Sequence, residues 1–451
     1  MNGLARLAGF IAGSRSEAIP VAARELAKLA LVDFVGCAVA GTDEPVSRVV
    51  VRQCGAADGA ESATVIGHPA RARPVEAAWA NGTTGHAHDF DDSNMVLGGH
   101  PSVVLLPALL SLGEVRHAAG AAMVDAYIVG FEVLMAVSRA VNLEHYEKGW
   151  HPTATLGAFG ATAAAARLLR LDEAQCAHAI GLAASMSSGV KANFGTMAKP
   201  LQVGEASRRG VLCALLAADG ATASPQALEG RQGFLNVYNG EGRYRAEALA
   251  SVGEGFELLR SGFKFKQYAC CGSTHAPIDA ALALRRQHGL QAADIAQVRV
   301  AMNARRRVHV DRPVVADELA AKFSVQYTVA AALADGAVGL RHFTPGCIAR
   351  TDLQDLVRRV ELATLEGGDA ALAQGCEITV QSRDGAVRSV RLEDAQGRGA
   401  DAYRGYMATK FSDCVARQFD AGAAQALMRD LLAIDDCPDI APLVRRLAAT
   451  A

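Results

Sequence analysis

The stretch from Ala80 to Leu110 concentrates side chains able to move protons or hold an anion. His86, His88, Asp89, Asp91, Asp92 and His100 fall within fifteen residues, in a glycine-broken segment of a sequence otherwise rich in alanine, leucine and valine. A hydrophobic core has no use for such a cluster, because buried charge costs free energy unless it is paired. Imidazole titrates near neutral pH and carboxylates accept protons or bind cations. The cluster therefore suits general acid–base chemistry or the binding of a metal ion.

Further basic residues share one setting. His100-Pro101, His151-Pro152 and Lys199-Pro200 each precede an apolar run of helical period, and His275 stands two residues before Pro277 and I-D-A-A-L-A-L-R-R. Proline is well accepted at the first helical position, so each pattern predicts a basic side chain at a helix mouth. A helix N-terminus exposes unpaired N–H groups and about half a positive charge, which attracts anions and makes a cation locally unfavourable. Proline as simple punctuation accounts for any one pair. Four together are better explained if basic groups and helix ends converge on a polyanionic small molecule, the dipole also lowering each base toward neutrality.

The elements that must position these residues are of two kinds. Helical patterns cover 21–40, Pro45 to Gly55, Pro74 to Gly82, 102–118 and 122–143, and Asp172 with Gln175 forms a capping box ahead of another helix. Asp33, inside the first of these, reads as a partnered core carboxylate. Asn142 to Trp150 reads as a polar loop leading to His151, and strand signals are almost absent up to about residue 260. After Gly262 the pattern changes. Residues 295–302 alternate as a strand, and C-E-I-T-V-Q-S-R-D-G-A-V-R-S-V-R-L pairs two alternating runs across Asp384-Gly385, a two-residue hairpin signal. Helices are expected from Ser324 to Asp335, ended by Gly336, and after a cap formed by Thr351 with Gln354. From Tyr403 the pattern is helical again. The expected fold class is α+β, mainly α: a large all-helical domain formed by both chain ends, 1–262 and 400–451, and a smaller α+β domain at 263–399.

A chain of 451 residues favours two domains, and 51% hydrophobic but only 5% aromatic residues suits closely packed helices. The formal net charge of -2 gives no pull toward nucleic acid or an acidic membrane, so neither is an expected partner. No uninterrupted apolar run approaches a membrane span, and a cytoplasmic protein is expected. The ten cysteines are scattered, with no C-x-x-C pair, as buried free thiols are. Nucleotide-binding glycine loops are absent where a strand-to-helix turn would need them. Two other classes stay open on the residues alone: a metal-dependent hydrolase using the His86–Asp92 cluster, and a non-catalytic carboxylate-binding protein.

Four segments, H-A-H-D-F-D-D-S with G-H-P-S, G-W-H-P-T-A-T-L-G-A-F-G-A, M-A-K-P-L-Q-V-G-E-A-S-R-R-G-V-L and C-C-G-S-T-H-A-P-I-D-A-A, occur in that order. They resemble the motifs of the MmgE/PrpD family over nearly the whole chain. The resemblance implies a helical domain with an α+β lid, usually in a homodimer. His275 lies just inside the second domain and the other candidate residues in the first, so the active site is expected between the two. It implies an enzyme that needs no metal or organic cofactor and moves a proton next to a carboxylate of a small di- or tricarboxylic acid. Loss of hydroxide or of carbon dioxide makes it a lyase, of the 2-methylcitrate dehydratase or cis-aconitate decarboxylase kind. Reprotonation on the other face makes it an epimerase of an aspartate-like acid such as iminodisuccinate.

Carried over residue by residue, the resemblance names Asp89, His100, His151, Lys199 and His275 as catalytic. Tyr327 in K-F-S-V-Q-Y, and the motif neighbours Ser102, Thr153, Gln202 and Ser273, are candidate substrate contacts. Lys199 is expected to face the carboxylate on which charge builds, His151 and His275 to transfer protons, and His100 and Asp89 to position substrate or fix a tautomer. The chain also departs from the family. Ala198-Lys199-Pro200-Leu201-Gln202 replaces the frequent T-K-P-L-H, and S-N-M-V-L-G-G before His100 resembles the epimerase-like spacing more than the decarboxylase loop.

Overall fold

The structure is a computed structural model describing residues 2–449 apart from 56, 58, 60, 366–374 and 394–399. By its internal contacts the chain divides into two units, Met1–Phe265 with Ala400–Ala451, and Lys266–Gly399.

Small residues at helix contacts shape the first unit, which is helical. The helix Pro74–Gly85 crosses the helix Ala198–Ala218 at Gly82 and Gly204. A Cβ built on Gly204 would lie 2.3 Å from the Trp79 carbonyl oxygen and 2.2 Å from Thr83 Oγ1, so no larger residue fits without parting the backbones. This crossing matters because the first helix delivers His86 at its C-cap and the second carries Lys199 in its first turn. Gly204→Ala is therefore expected to cost about 1–3 kcal/mol as overpacking. A lowered denaturant midpoint with an unchanged m-value would report it.

The helix Val21–Ala40 is almost wholly buried, and the helix Ala400–Val415 from the far end of the chain packs against it. Asp33 is paired there with Lys410 Nζ at 2.5 Å, as a core carboxylate should be. Burial pushes its carboxyl up to about 6, against the opposing pull of the Lys410 charge. Lys410 also donates to the Phe90 carbonyl at 2.7 Å, inside the acidic stretch. The helix Gly120–Val141 is long and apolar enough to cross a membrane, but 89% of its most apolar window is buried in the fold. Its Asp125 pairs with Arg24, and its Glu132 accepts from the backbone of Glu257 and Leu258. A pair of two-residue strands, β1 (Ala63–Thr64) and β2 (Arg71–Ala72), also belongs to this unit.

The second unit is α+β. Its four-stranded sheet runs β4 (Val360–Thr364), β3 (Ile295–Met302), β5 (Cys376–Ser382) and β6 (Val387–Leu392), with β3 parallel to β4 and antiparallel to β5. The helix His275–His288 packs on β5, β6 and the helix Val325–Asp335. The mainly helical α+β fold class expected from the sequence is the one observed.

Several local expectations change. The β5–β6 hairpin forms, but Ser382 pairs with Ala386 and leaves a three-residue loop, Arg383 to Gly385, with Gly385 at φ 88°. A glycine in the left-handed region at the third loop position is the geometry of that longer hairpin. Strand β4 is too short to stand out in the sequence. Thr351 is the first helical residue rather than the cap; Arg350 is the cap residue, and Gln354 donates to the Ile348 carbonyl. The expected loop before His151 contains a helical turn, Glu144–Glu147, and β1 and β2 add strand to the helical half. Ser324 and Gly336 bound their helix as read, and the Asp172–Gln175 capping box is present. All ten cysteines are free thiols.

Candidate active site

Within the first unit, three basic side chains converge on one carboxylate oxygen. Lys199 Nζ lies 2.9 Å from Asp89 Oδ1, His100 Nε2 lies 3.3 Å from it, and His86 Nε2 lies 4.0 Å away. Asp89 reaches this point from a left-handed backbone, φ 53°, just after the C-cap residue His86. Such a conformation is uncommon for a residue with a side chain and often marks a functional position.

Asp91 stands behind this group. Its Oδ1 lies 2.8 Å from His86 Nδ1 and its Oδ2 lies 3.1 Å from His100 Nδ1. Burial alone would raise the Asp91 carboxyl, but the neighbouring His86 and His100 outweigh it and hold the group well below the usual carboxylate range. Burial lowers His86 to about 4 against the pull of Asp91, so a neutral imidazole donates from Nδ1 to an ionised carboxylate. The two imidazole rings meet edge to face, 4.6 Å between centroids. The side chains of His100, Lys199 and Asp89 are 12, 13 and 18% exposed, which leaves them within reach of a ligand.

His151 occupies the cap of the short helix Pro152–Thr155 and is buried. Burial, and then the Lys199 charge, holds it well below its ordinary value, with His86 and His100 acting in the same direction. Its Nδ1 lies 2.9 Å from Gln202 Oε1. Phe194 meets the His151 ring edge-on at 4.8 Å and lies 5.4 Å from Lys199 Nζ. Thr153 is buried and accepts from the His100 backbone N–H at 3.1 Å, so it holds the loop that carries His100.

The prolines mark the first turns of these helices, but only Pro152 is the first helical residue. Pro101 is the cap residue, and Pro200 and Pro277 are the third residues of their helices. The difference is physically small, because the N–H groups of the whole first turn lack intrahelical partners and proline sacrifices none of them.

The other sequence-predicted residues have surroundings of their own. Ser102 is buried and its hydroxyl is engaged by Asp92 and Tyr127. Asp92 is itself pushed up by burial and by nearby Asp33, as a core hydrogen-bonding group is. His88 faces the Ala40 carbonyl at 3.1 Å. His275 begins its helix in the second unit, half-buried, with its ring edge-on to Tyr268 at 5.2 Å. Ser273 belongs to the preceding turn, Gly272–Thr274. Tyr327 is fully buried in that unit, and its hydroxyl donates to the His342 carbonyl.

His86, Asp89, Asp91 and His100 offer ligand atoms within 4.8 Å of one another, a spacing that could hold a metal ion. Asp92 and His88 do not join them. The Lys199 ammonium already pairs with Asp89 at the distance of a strong ion pair, and a dication beside it would be repelled at short range. The donor set thus fits a protonated amine and imidazoles better than a metal. Two cavities of about 560 and 570 Å³ lie among other helices, around Phe10 and Ile128 and around Ala122 and Arg167; neither contains a residue of the Lys199 group.

Comparison with known proteins follows the same division of the chain. A profile of the MmgE/PrpD N-terminal domain matches residues 5–247, and one of the MmgE/PrpD C-terminal domain matches residues 268–433. Cis-aconitate decarboxylase of Mus musculus is 28% identical, over 98% of this chain and 92% of its own. The Homo sapiens enzyme of that name is 30% identical over 82% of this chain and 78% of its own, and that of Aspergillus terreus is 28% identical over 95% and 92%.

Proposed function

The chain belongs to the MmgE/PrpD family, and on that footing we propose that it is a lyase that removes carbon dioxide from a small unsaturated tricarboxylate of the cis-aconitate kind. The observation that supports this reading is the convergence of Lys199, His100 and His86 around one oxygen of Asp89, with His151 near enough to feel the Lys199 charge.

The chemistry requires three movements. The electron pair of the bond to the departing carboxylate becomes a new carbon–carbon double bond. The old double bond shifts its pair to the carbon beside a retained carboxylate, and that carbon takes a proton. Carbon dioxide leaves. Charge builds on the retained carboxylate, so a cation already aimed there lowers the barrier; Lys199 fills this role, and a substrate carboxylate shares its ammonium with Asp89. His151 supplies the proton. In the free protein burial and the Lys199 charge keep it neutral, but a polyanionic substrate reverses the local field and raises its pKa. Binding thereby loads the acid from solvent. His100, held by Thr153 and between Asp89 and Asp91, orients the substrate. The assignment of His275 rests on the resemblance.

This mechanism has a pH signature. The kcat/KM profile reports free-enzyme pKa values and the kcat profile those of the complex. A required proton on a His151 depressed in the free protein makes kcat/KM fall about tenfold per pH unit above that low pKa. The kcat profile stays level to a higher pH, because bound substrate raises the same group. Coincident descending limbs in the two profiles contradict the loading step.

Product identity tests the reaction class. With citrate, methylcitrate, aconitate and aspartate-like acids followed by NMR, an aconitate-like acid is expected to yield a shorter acid with a new alkene. A new alkene without loss of carbon, from a hydroxy acid, would make the protein a dehydratase. Turnover is expected to persist within about twofold after chelation and dialysis, since the ammonium does the work a Lewis acid would do. Loss of activity restored by one divalent metal would favour the His86–Asp89–Asp91–His100 group as its site. A homodimer belongs to the same proposal; light scattering is expected to give about twice the 47.0 kDa chain mass, and the mass of one chain would contradict it.

A further inference from the structure

The amide of Gln202 can be oriented in only one way that satisfies both its neighbours. Its Nε2 donates to the Val190 carbonyl at 3.2 Å, and a carbonyl oxygen accepts but never donates. The amide oxygen must then face His151, 2.9 Å from Nδ1, and that oxygen too can only accept. The proton of a neutral His151 therefore sits on Nδ1.

The backbone fixes the arrangement from both sides. The His151 N–H donates to the Gly189 carbonyl at 3.0 Å, and Trp150 bridges to Val190 as an isolated strand pair, so the histidine and the carbonyl that orients the amide share one framework. Gln202 lies one turn after Lys199 on the helix Ala198–Ala218, the spacing that puts both side chains on one face. A single helix end thus delivers the ammonium to Asp89 and the amide to His151.

We propose that Gln202 is a positioning residue that fixes the tautomer of His151, keeping Nδ1 protonated and leaving Nε2 as the atom that takes up and delivers the catalytic proton. The inference rests on His151 being the proton donor of the reaction proposed above. An amide oxygen at this place has a second consequence. A carboxylate partner would stabilise the imidazolium and make it reluctant to release its proton, whereas a neutral oxygen orients the ring without holding the charge.

Ring nitrogen NMR of the full-length protein, labelled with ¹⁵N at histidine, reads the tautomer without substrate. The wild type is expected to show His151 protonated at Nδ1. In Gln202→Leu that preference is lost, and kcat falls at least about tenfold with KM little changed, since a wrong tautomer can cost up to about 10⁴ in rate. In Gln202→Glu the preference is kept, and the descending limb of kcat/KM moves up by about one pH unit or more. Far-UV circular dichroism and the denaturant midpoint separate these effects from loss of fold. A wild-type His151 protonated at Nε2, or a folded Gln202→Leu protein with unchanged tautomer and pH profile, overturns the inference. A Gln202-dependent tautomer in a protein that decarboxylates none of the acids tested would retire the proposed reaction and leave the tautomer assignment standing.

Discussion

Lys199→Met is expected to lower turnover by about a hundred- to a thousandfold, the range found when one group aimed at developing charge is removed. The ammonium is set 2.9 Å from Asp89 Oδ1 by a helix start, and the Phe194 ring centre lies 5.4 Å from it. Without it the substrate carboxylate gains charge in the transition state with only imidazoles to answer. The loss should fall on kcat as well as on kcat/KM, because the ammonium matters more as charge builds than when substrate binds. A raised KM with unchanged kcat would reduce Lys199 to a simple binding residue. The same variant removes a charge that depresses His151, so the descending limb of the residual kcat/KM profile should move to higher pH. Lys199→Arg keeps the charge but not the compact geometry, and should recover only part of the rate.

His151→Asn is the second large effect, a loss of about a hundredfold or more from the removal of a general acid. Asparagine is chosen because it offers a side-chain N–H near Gln202 Oε1 and so spares the packing around Gly189 and Val190. Substrate should still bind, since Lys199 and His100 remain, and the defect should appear at the protonation step. A folded variant with near-normal turnover on an authentic substrate would make His151 structural.

Much of this was visible in the sequence, for identifiable reasons. Periodicity marked the long helices, and the capping box at Asp172 and the glycine end at Gly336 are local signals that the structure repeats. Asp33 inside an apolar helix required a buried partner, though not the one 377 residues away at Lys410. The basic residues beside prolines pointed to helix mouths, because proline and helix termini share the same missing hydrogen bonds. Family motifs supplied Asp89, which composition alone does not separate from Asp91 or Asp92.

What remained hidden depends on long-range packing. Asp89 and Lys199 meet across 110 residues through the contact of Gly82 with Gly204, and no local pattern reports such a crossing. The three neighbouring aspartates have different fates: Asp89 meets Lys199, Asp91 holds two imidazoles, and Asp92 turns into the core with Ser102. Offsets of one or two residues in a loop decide this, and loop backbone is not periodic. Ser102 looked like a ligand contact because it follows His100 in the motif, yet it is the first residue of a buried helix. Phe194 had no signal beyond its place near Lys199. His86 stood in the acidic stretch from the start, but its part in holding Asp91 could be seen only once Asp91 was placed.

The most direct test counts deuterium against carbon dioxide. In heavy water, with a cis-aconitate-like acid as substrate, the wild-type protein should release one carbon dioxide for each deuterium that appears on the carbon beside the retained carboxylate. In His151→Asn both should fall together by about a hundredfold or more. Deuterium entering recovered substrate with no release of carbon dioxide would contradict a lyase and leave the Lys199 group a site of proton exchange only.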